Sequence, residues 1–282
     1  MHAAERVSGE IRQAAVAGMF YPSGKSKLTS TIENLLRDAE LTQVKGRIVG
    51  LIVPHAGYPY SGLTAAYGYR LIIGKSFDTI VIISPSHREY FDGISIYNGY
   101  AYQTPLGTVC VDQELRESLL RNESIIRSNE LGHGTEHAIE VHLPFLQIIR
   151  CTDRFLPVVM GDQRTDYCLH LADKLADALK DRNALVIASS DLSHYHPDDE
   201  AHRLDRIVRE DIEAFDVKKL MDDLETERIE MCGGGPVSTL LQTAARLGAT
   251  GSKILHQCTS GDVTGEHDAV VGYLSAVLFA HA

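Results

Sequence analysis

Three histidines in this chain share one kind of surrounding. Val53-Pro54-His55, Ser84-Pro85-Ser86-His87 and Ser189-Ser190-Asp191-Leu192-Ser193-His194 each come at the end of an apolar, β-branched run or a few residues beyond it. Imidazole is the commonest side chain for binding a transition metal, and it also titrates near neutrality. Runs of that kind read as buried strands. In an open α/β sheet, parallel strands deliver their loops to one edge, the carboxyl edge, where ligands bind. His55, His87 and His194 are therefore expected to meet there. One histidine after a strand is ordinarily a loop or capping residue; three with one placement predict a shared site.

Two or three histidines with an anionic ligand suit Fe(II), copper or zinc. Asp191, three residues before His194, is either a carboxylate that orients a histidine or a plain turn residue. Met231-Cys232-Gly233-Gly234-Gly235-Pro236 places a cysteine just before a helix expected to start at Pro236. A thiol near a helix start is expected to have a lowered pKa, which makes Cys232 the thiolate candidate; the other reading is a small buried cysteine in a flexible loop. The segment from Gly132 to His142 packs three histidines, His133, His137 and His142, with Glu136 and Glu140. It is not the HExxH zinc-protease motif, because Glu136 precedes its histidine. As a helix it would put His137, Glu140 and Val141 on one face and pair Glu136 with Glu140. One member then reaches the site as an acid/base or supporting group, or the segment is a solvated helix start. Tyr58 and Tyr60 follow His55 and either line a pocket or pack as aromatics.

The elements that must position these groups alternate in type. Strands are expected at Arg47–Val53, Thr79–Ser84, Gly93–Tyr97, Phe155–Met160 and Ala184–Ser189, with closing strands at Lys253–Thr259 and Ala269–Phe279. Helices are expected at Thr64–Ile73, at Asp112–Arg121 with Asp112 as N-cap, and at His137–Arg150, where Pro144 either kinks the helix or shifts its start. Others are expected at Thr165–Asp181, Pro197–Phe215 and Pro236–Leu247, the last ended by Gly248. Near-continuous apolar strands between helices imply a mostly parallel or mixed sheet covered on both faces. No linker divides the chain, so residues 1–282 are expected to form one three-layer α/β/α domain.

Composition narrows the function classes. The net charge is −11 with no basic run, which disfavours nucleic acid as a partner. Five scattered cysteines with no CxxC pair argue against a disulfide framework and for a reducing compartment. No apolar run reaches the roughly 20 residues of a membrane helix, and charges interrupt the leading stretch where a signal peptide needs apolar residues. The expectation is a cytoplasmic protein with no membrane partner. There is no P-loop, GxGxxG or GxSxG, so no nucleotide cofactor and no serine hydrolase chemistry is expected.

Taken together the motifs resemble the Memo family, whose microbial members are called AmmeMemoRadiSam system protein B. The resemblance rests on Gly18-Met19-Phe20-Tyr21-Pro22, Pro54-His55-Ala56-Gly57-Tyr58 with Tyr60-Ser61-Gly62, Ser84-Pro85-Ser86-His87 and Thr104-Pro105-Leu106-Gly107. It continues through Glu136-His137-Ala138-Ile139-Glu140-Val141-His142-Leu143-Pro144, Ser189–His194 and Cys232-Gly233, and runs from about residue 15 to the C-terminus. That family is similar to class III extradiol dioxygenases, which are non-haem iron enzymes. The resemblance implies that His55 and His87 are metal ligands, that Cys232 stands where the dioxygenases carry a glutamate ligand, and that His194 is the acid/base, with Asp191 beside it. A thiolate there turns the two-histidine-one-carboxylate triad into His₂Cys, which shifts preference toward copper or zinc. Some members carry Arg-His after the Cys-Gly; Gly234 and Gly235 stand here instead, which implies a more open wall.

The expected function is a metal-dependent redox protein holding iron or copper, with zinc as the further choice, acting on a small molecule or peptide. His194 and Asp191 are the expected catalytic pair, with Tyr58, Glu136, His137, Glu140 and His142 around them. The family's name associates it with a radical-SAM protein and an AMMECR1-like partner. Two other classes fit the same residues: a peptide- or protein-binding module using the pocket without chemistry, and a hydrolase whose metal lowers the pKa of a bound water.

Overall fold

A computed structural model describes residues 10–281; His2 and most of the charged leading stretch lie outside them. In chain order the elements are β1 (Ile11–Arg12), α1 (Lys25–Asp38), β2 (Arg47–Val53), α2 (Tyr58–Arg70), β3 (Thr79–Pro85), β4 (Ile94–Tyr97), β5 (Ala101–Thr104) and β6 (Gly107–Val111). Then come α3 (Gln113–Leu120), β7 (Ile126–Asn129), a single 3₁₀ turn (Glu140–His142), α4 (Leu143–Ile149), β8 (Arg154–Met160), α5 (Thr165–Leu179), β9 (Ala184–Ser189) and β10 (His194–His196). The chain closes with α6 (Asp198–Glu213), α7 (Val217–Glu225), α8 (Gly234–Arg246), β11 (Gly251–Thr259), α9 (Ser260–Thr264) and β12 (Val270–Ala280).

The runs read as buried strands are buried throughout. β3 and β9 expose nothing, and β2 exposes only Arg47 at its start. The centre of the sheet is parallel, in the order β6-β8-β3-β9-β2. β12 joins β2 antiparallel, and β10 and β11 join β12 antiparallel. β4 runs antiparallel beside β8 and carries β7. The sheet is thus mixed, with a parallel core. α1, α2 and α4 lie together on one face, while α5, α7 and α8 pack together on the other. Residues such as Leu51, Ile52, Ile82, Ile187, Leu240 and Leu274 fill the space between the layers with no exposure. A parallel strand buried on both faces needs apolar residues at every position, so these runs do not alternate.

Local chemistry sets most of the boundaries. Asp112 caps α3 as expected, its carboxylate accepting from Leu115 N at 2.9 Å. Gly248 stops α8 in the left-handed region at φ 87°. Three helix starts differ from expectation by two residues or more. α2 starts at Tyr58, because Pro59 suits a first turn. α8 starts at Gly234, two residues before Pro236. The expected helix over 137–150 forms only from Leu143, after one 3₁₀ turn, because Glu136 and Glu140 are drawn to opposite partners. The hairpin β5–β6 and the helices α1 and α7 were not expected.

Candidate metal centre

The loops after β2, β3 and β9 meet at the carboxyl edge of the sheet. His55 follows β2, is 1 % exposed, and donates its backbone N–H to Asp191 Oδ1 at 2.8 Å. His87 follows β3 and is tied at two points to Glu136. Its backbone N–H donates to Oε2 at 2.6 Å, and its Nδ1 lies 3.0 Å from Oε1. His137 follows Glu136; its ring stacks on His87 with centroids 4.8 Å apart and packs at a tilt against Phe20 at 4.6 Å. The ligand atoms of His55, His87 and His137 all lie within 4.8 Å of one another. That is the compact cluster among the described residues.

Cys232 stands beside this cluster. Its Sγ is 3.2 Å from His55 Nε2 and accepts from Asp191 N at 3.2 Å. The ligand set expected from the resemblance was His55, His87 and Cys232; the compact group brings His137 to those two histidines, and of the three the thiol touches His55. The thiol's environment also reverses expectation. Burial and then the Asp191 carboxyl push the Cys232 pKa up, outweighing the Asp191 amide that would lower it. A helix start favours the thiolate, but here the sulfur is packed against His55, Ser190 and Asp191, and burial outweighs that effect.

The glycines after Cys232 do not open the wall. A Cβ on Gly233 would sit 2.3 Å from Ser189 O, one on Gly234 2.9 Å from Leu224, and one on Gly235 2.8 Å from Gln163. Each glycine lets the loop press against a different neighbour. Gln163 holds the loop at both ends, donating Nε2–H to Cys232 O and accepting from Gly235 N, each at 2.8 Å. Behind Gln163 a cavity of about 630 Å³ reaches Leu169, Met221 and Leu224; none of the histidines lines it.

Ser189, the last residue of β9, orders the hydrogens of the site. Its Oγ lies 2.7 Å from Ala138 O, 2.7 Å from His55 Nδ1 and 2.8 Å from His142 Nε2. A carbonyl only accepts, so the single hydroxyl proton goes to Ala138, and both imidazoles must donate to Ser189. His55 is thereby protonated on Nδ1, and its Nε2 lone pair faces Cys232. His142, neutral because burial depresses its pKa to about 3, must then accept at Nδ1 from Tyr69 Oη at 2.8 Å. His142 thus supports His55 from behind and does not face the site.

Other expected members fall in different places. Glu140 is fully buried away from the cluster, accepting from Arg12, the Tyr21 hydroxyl and the amides of Ala15 and Val16. Tyr58 is buried aromatic packing against Tyr21 and Phe145, and its hydroxyl donates to Val141 O at 2.7 Å. Asp191 was expected to orient His194; its hydrogen bond goes to the backbone of His55 instead, and burial raises its carboxyl to about 7. His194 is half-buried at the edge of the site, its pKa lowered by burial.

Burial holds two of the three imidazoles neutral. Burial pushes His55 well below the ordinary imidazole range, and His87, His137, His142 and His194 add to it. Burial sets His137 at about 4 despite Glu136. Burial raises Glu136, but the bonds from His87 and Ala138 outweigh it and hold the carboxyl at about 2. Sequence reasoning missed Ser189, Gln163 and Arg12. Gln163 was within reach of the carboxyl-edge rule, since it lies three residues past β8. Arg12, which bonds the carbonyls of His133 and Glu136, carried no signal.

Comparison with known proteins agrees with the motif pattern. The chain is 37% identical over 272 residues to a MEMO1 family protein of Methanosarcina mazei, covering 95% of this chain and 99% of that one. It is 39% identical over 272 residues to a MEMO1 family protein of Methanothermobacter thermautotrophicus, covering 93% and 98%. Among solved structures, an uncharacterized protein of Escherichia coli K12 aligns over 82% of this chain and 99% of that one, with a TM-score of 0.48 and 14% identity. The Memo-like protein family profile matches residues 12–277, and with relatives this similar over nearly its whole length the chain belongs to the Memo family.

Proposed function

We propose that this chain binds a transition metal at His55, His87 and His137, with Cys232 beside the first, and puts the ion to redox use on a small molecule or peptide. The observation that carries the reading is the approach of three imidazoles, their ligand atoms all within 4.8 Å of one another. Metal ligands must be deprotonated, and burial already holds His55 and His137 neutral. The surroundings fit a cation. Glu136 takes the Nδ1 side of His87 and Ser189 the Nδ1 side of His55, which leaves both Nε2 atoms as donors. Among the described residues His137 Nδ1 is buried without a hydrogen-bond partner, although Glu136 Oε1 lies 3.2 Å away out of line. An orphaned nitrogen of that kind costs free energy unless something fills it.

Iron or copper is the proposed ion, with zinc as the further choice, since histidine and sulfur suit all three. Bound there, the ion supplies Lewis-acid and electron-transfer chemistry. The protein's own part is to fix the imidazoles through Glu136, Ser189 and Asp191, and to move a proton at His194. Metal analysis after anaerobic purification tests the reading. One equivalent of iron or copper is expected in the wild type and under a tenth in His55→Ala or His87→Ala. Full occupancy in both variants would sink it. Cys232→Ser separates the ligand sets: unchanged occupancy assigns the third position to His137, and lost occupancy assigns it to the thiolate. Oxygen uptake with catechols tests whether the redox use extends to ring cleavage.

A further inference from the structure

We propose that Asp205 of α6, well outside the histidine cluster, is the positioning residue that sets the aim of His194. The inference rests on the reading of His194 as the proton-moving group. Asp205 is 1 % exposed, which is unusual for a carboxylate, and its Oδ1 accepts from the backbone N–H of Ser193 at 3.1 Å. Across from it, Gly272 of β12 brackets the same turn. Gly272 N–H donates to Ser193 O at 2.9 Å, and Leu192 N–H donates to Gly272 O at 2.8 Å. The residues before His194 are therefore clamped between a strand backbone and one carboxylate.

The clamp leaves little play. A Cβ on Gly272 would fall 1.8 Å from Asp205 Oδ2, so the carboxylate lies directly on the strand backbone. His194 then pairs with Val271, and the pairing shifts register before His196, with Tyr195 in the left-handed region at φ 63°. A bulge of this sort re-aims side chains, and here the re-aimed side chain is His194. Two buried oxygens beside it, Asp205 Oδ2 and Ser193 Oγ, have no hydrogen-bond partner among the described residues. A buried charge with an unpaired oxygen is poor value as stability and fits better as a device that fixes one geometry.

The test follows the imidazole of His194 by NMR in the full chain, its resonance assigned with His194→Gln. In Asp205→Ala, which orphans Ser193 N–H, the His194 signal is expected to shift and its titration midpoint to move by about half a pH unit or more. Asp205→Asn keeps the acceptor and is expected to restore the wild-type signal. Gly272→Ala pushes the carboxylate off the strand while keeping its charge, and should move His194 as Asp205→Ala does; with Asp205→Asn it carries the test if the alanine variant does not fold. Unaltered His194 behaviour in the folded variants would overturn the proposal. Cobalt binding, read by absorbance, should change less than about twofold in all of them. Failure of the wild type to bind cobalt, with the His194 response intact, would fault the metal reading and leave the positioning role standing.

Discussion

Glu136 and Glu140 are four residues apart, of one type, and both buried, yet they serve different regions of the molecule. Glu136 faces the cluster, where it accepts from the backbone and ring of His87 and from the amides of His137 and Ala138. Glu140 faces away, where it closes Arg12, Tyr21 and the amides of Ala15 and Val16 into one network. The first carboxylate sets the direction of a ligand. The second pins the leading segment of the chain to the body of the domain. Burial and charge do not separate the two roles; the partners do.

The largest effect is expected where the comparison is broken on the structural side. Glu140→Ala leaves Arg12 buried with its charge uncompensated, and losing one partner of a buried pair costs on the order of 3–5 kcal/mol. Urea denaturation should show this loss, while the folded fraction still binds metal. Breaking the other side should do the reverse. Glu136→Gln keeps an acceptor oxygen but weakens the hold on His87, and changes of this kind lower metal affinity by about 10–100-fold. Titration with cobalt measures that, and denaturation midpoints should move little. A Glu140 variant that loses metal affinity without losing stability, or a Glu136 variant that does the opposite, would erase the distinction.

Much of this was legible in the residues. β2, β3 and β9 announce themselves as unbroken apolar runs, and the carboxyl-edge rule brings His55, His87 and His194 to one side without further information. The segment from Gly132 to His142 was not legible. A helical reading puts Glu136 and Glu140 on one face, but the chain there is held by long-range partners, Arg12 and His87, at sequence separations that no local pattern encodes. His137 was expected around the site but not as a member of the compact cluster, because that place depends on the irregular backbone. The raised thiol of Cys232 was hidden for a related reason. Its helix start was visible, but the enclosure by Asp191 and His55 was not.

A third contrast uses His133, on the structural side of the same segment. It is buried between Tyr102, whose hydroxyl lies 2.6 Å from Nδ1, and Arg12, whose Nε donates to its carbonyl. Burial, and then the Arg12 charge, hold its pKa at about 3. The folded pKa lies below the unfolded value near 6.5, so its contribution is whole above pH 6.5 and is lost as pH falls toward 3. At pH 5 the loss comes to about 2 kcal/mol, at 1.4 kcal/mol per unit. Asp191 and Asp205, raised by burial to about 7 and 6, act with the opposite sign, so the informative quantity is a difference. The stability gap between wild type and His133→Gln should shrink by about 2 kcal/mol from pH 7 to pH 5. A gap constant across that range would mean that His133 is not held neutral.

The last contrast separates the two regions most finely, because Tyr69 touches the site only through a chain of hydrogens. If Ser189 gives its proton to Ala138, His142 must carry its proton on Nε2, and the Tyr69 hydroxyl must be the donor to Nδ1. Tyr69→Phe then removes a donor and leaves a buried imidazole nitrogen unpaired, at a cost of about 1–3 kcal/mol in stability. The ring remains stacked on Phe145, so the packing is kept. Nitrogen-15 shifts of His142 read the tautomer directly: protonated Nε2 and bare Nδ1 in the wild type. With its acceptor role at Nδ1 vacant, the variant imidazole is expected to keep the Nε2 tautomer, since Ser189 still demands a donor. A His142 protonated on Nδ1 in the wild type would reverse the chain from Ser189 to Tyr69, sending the Ser189 proton to Nε2 in place of Ala138 O, with His55 Nδ1 still the donor to Ser189.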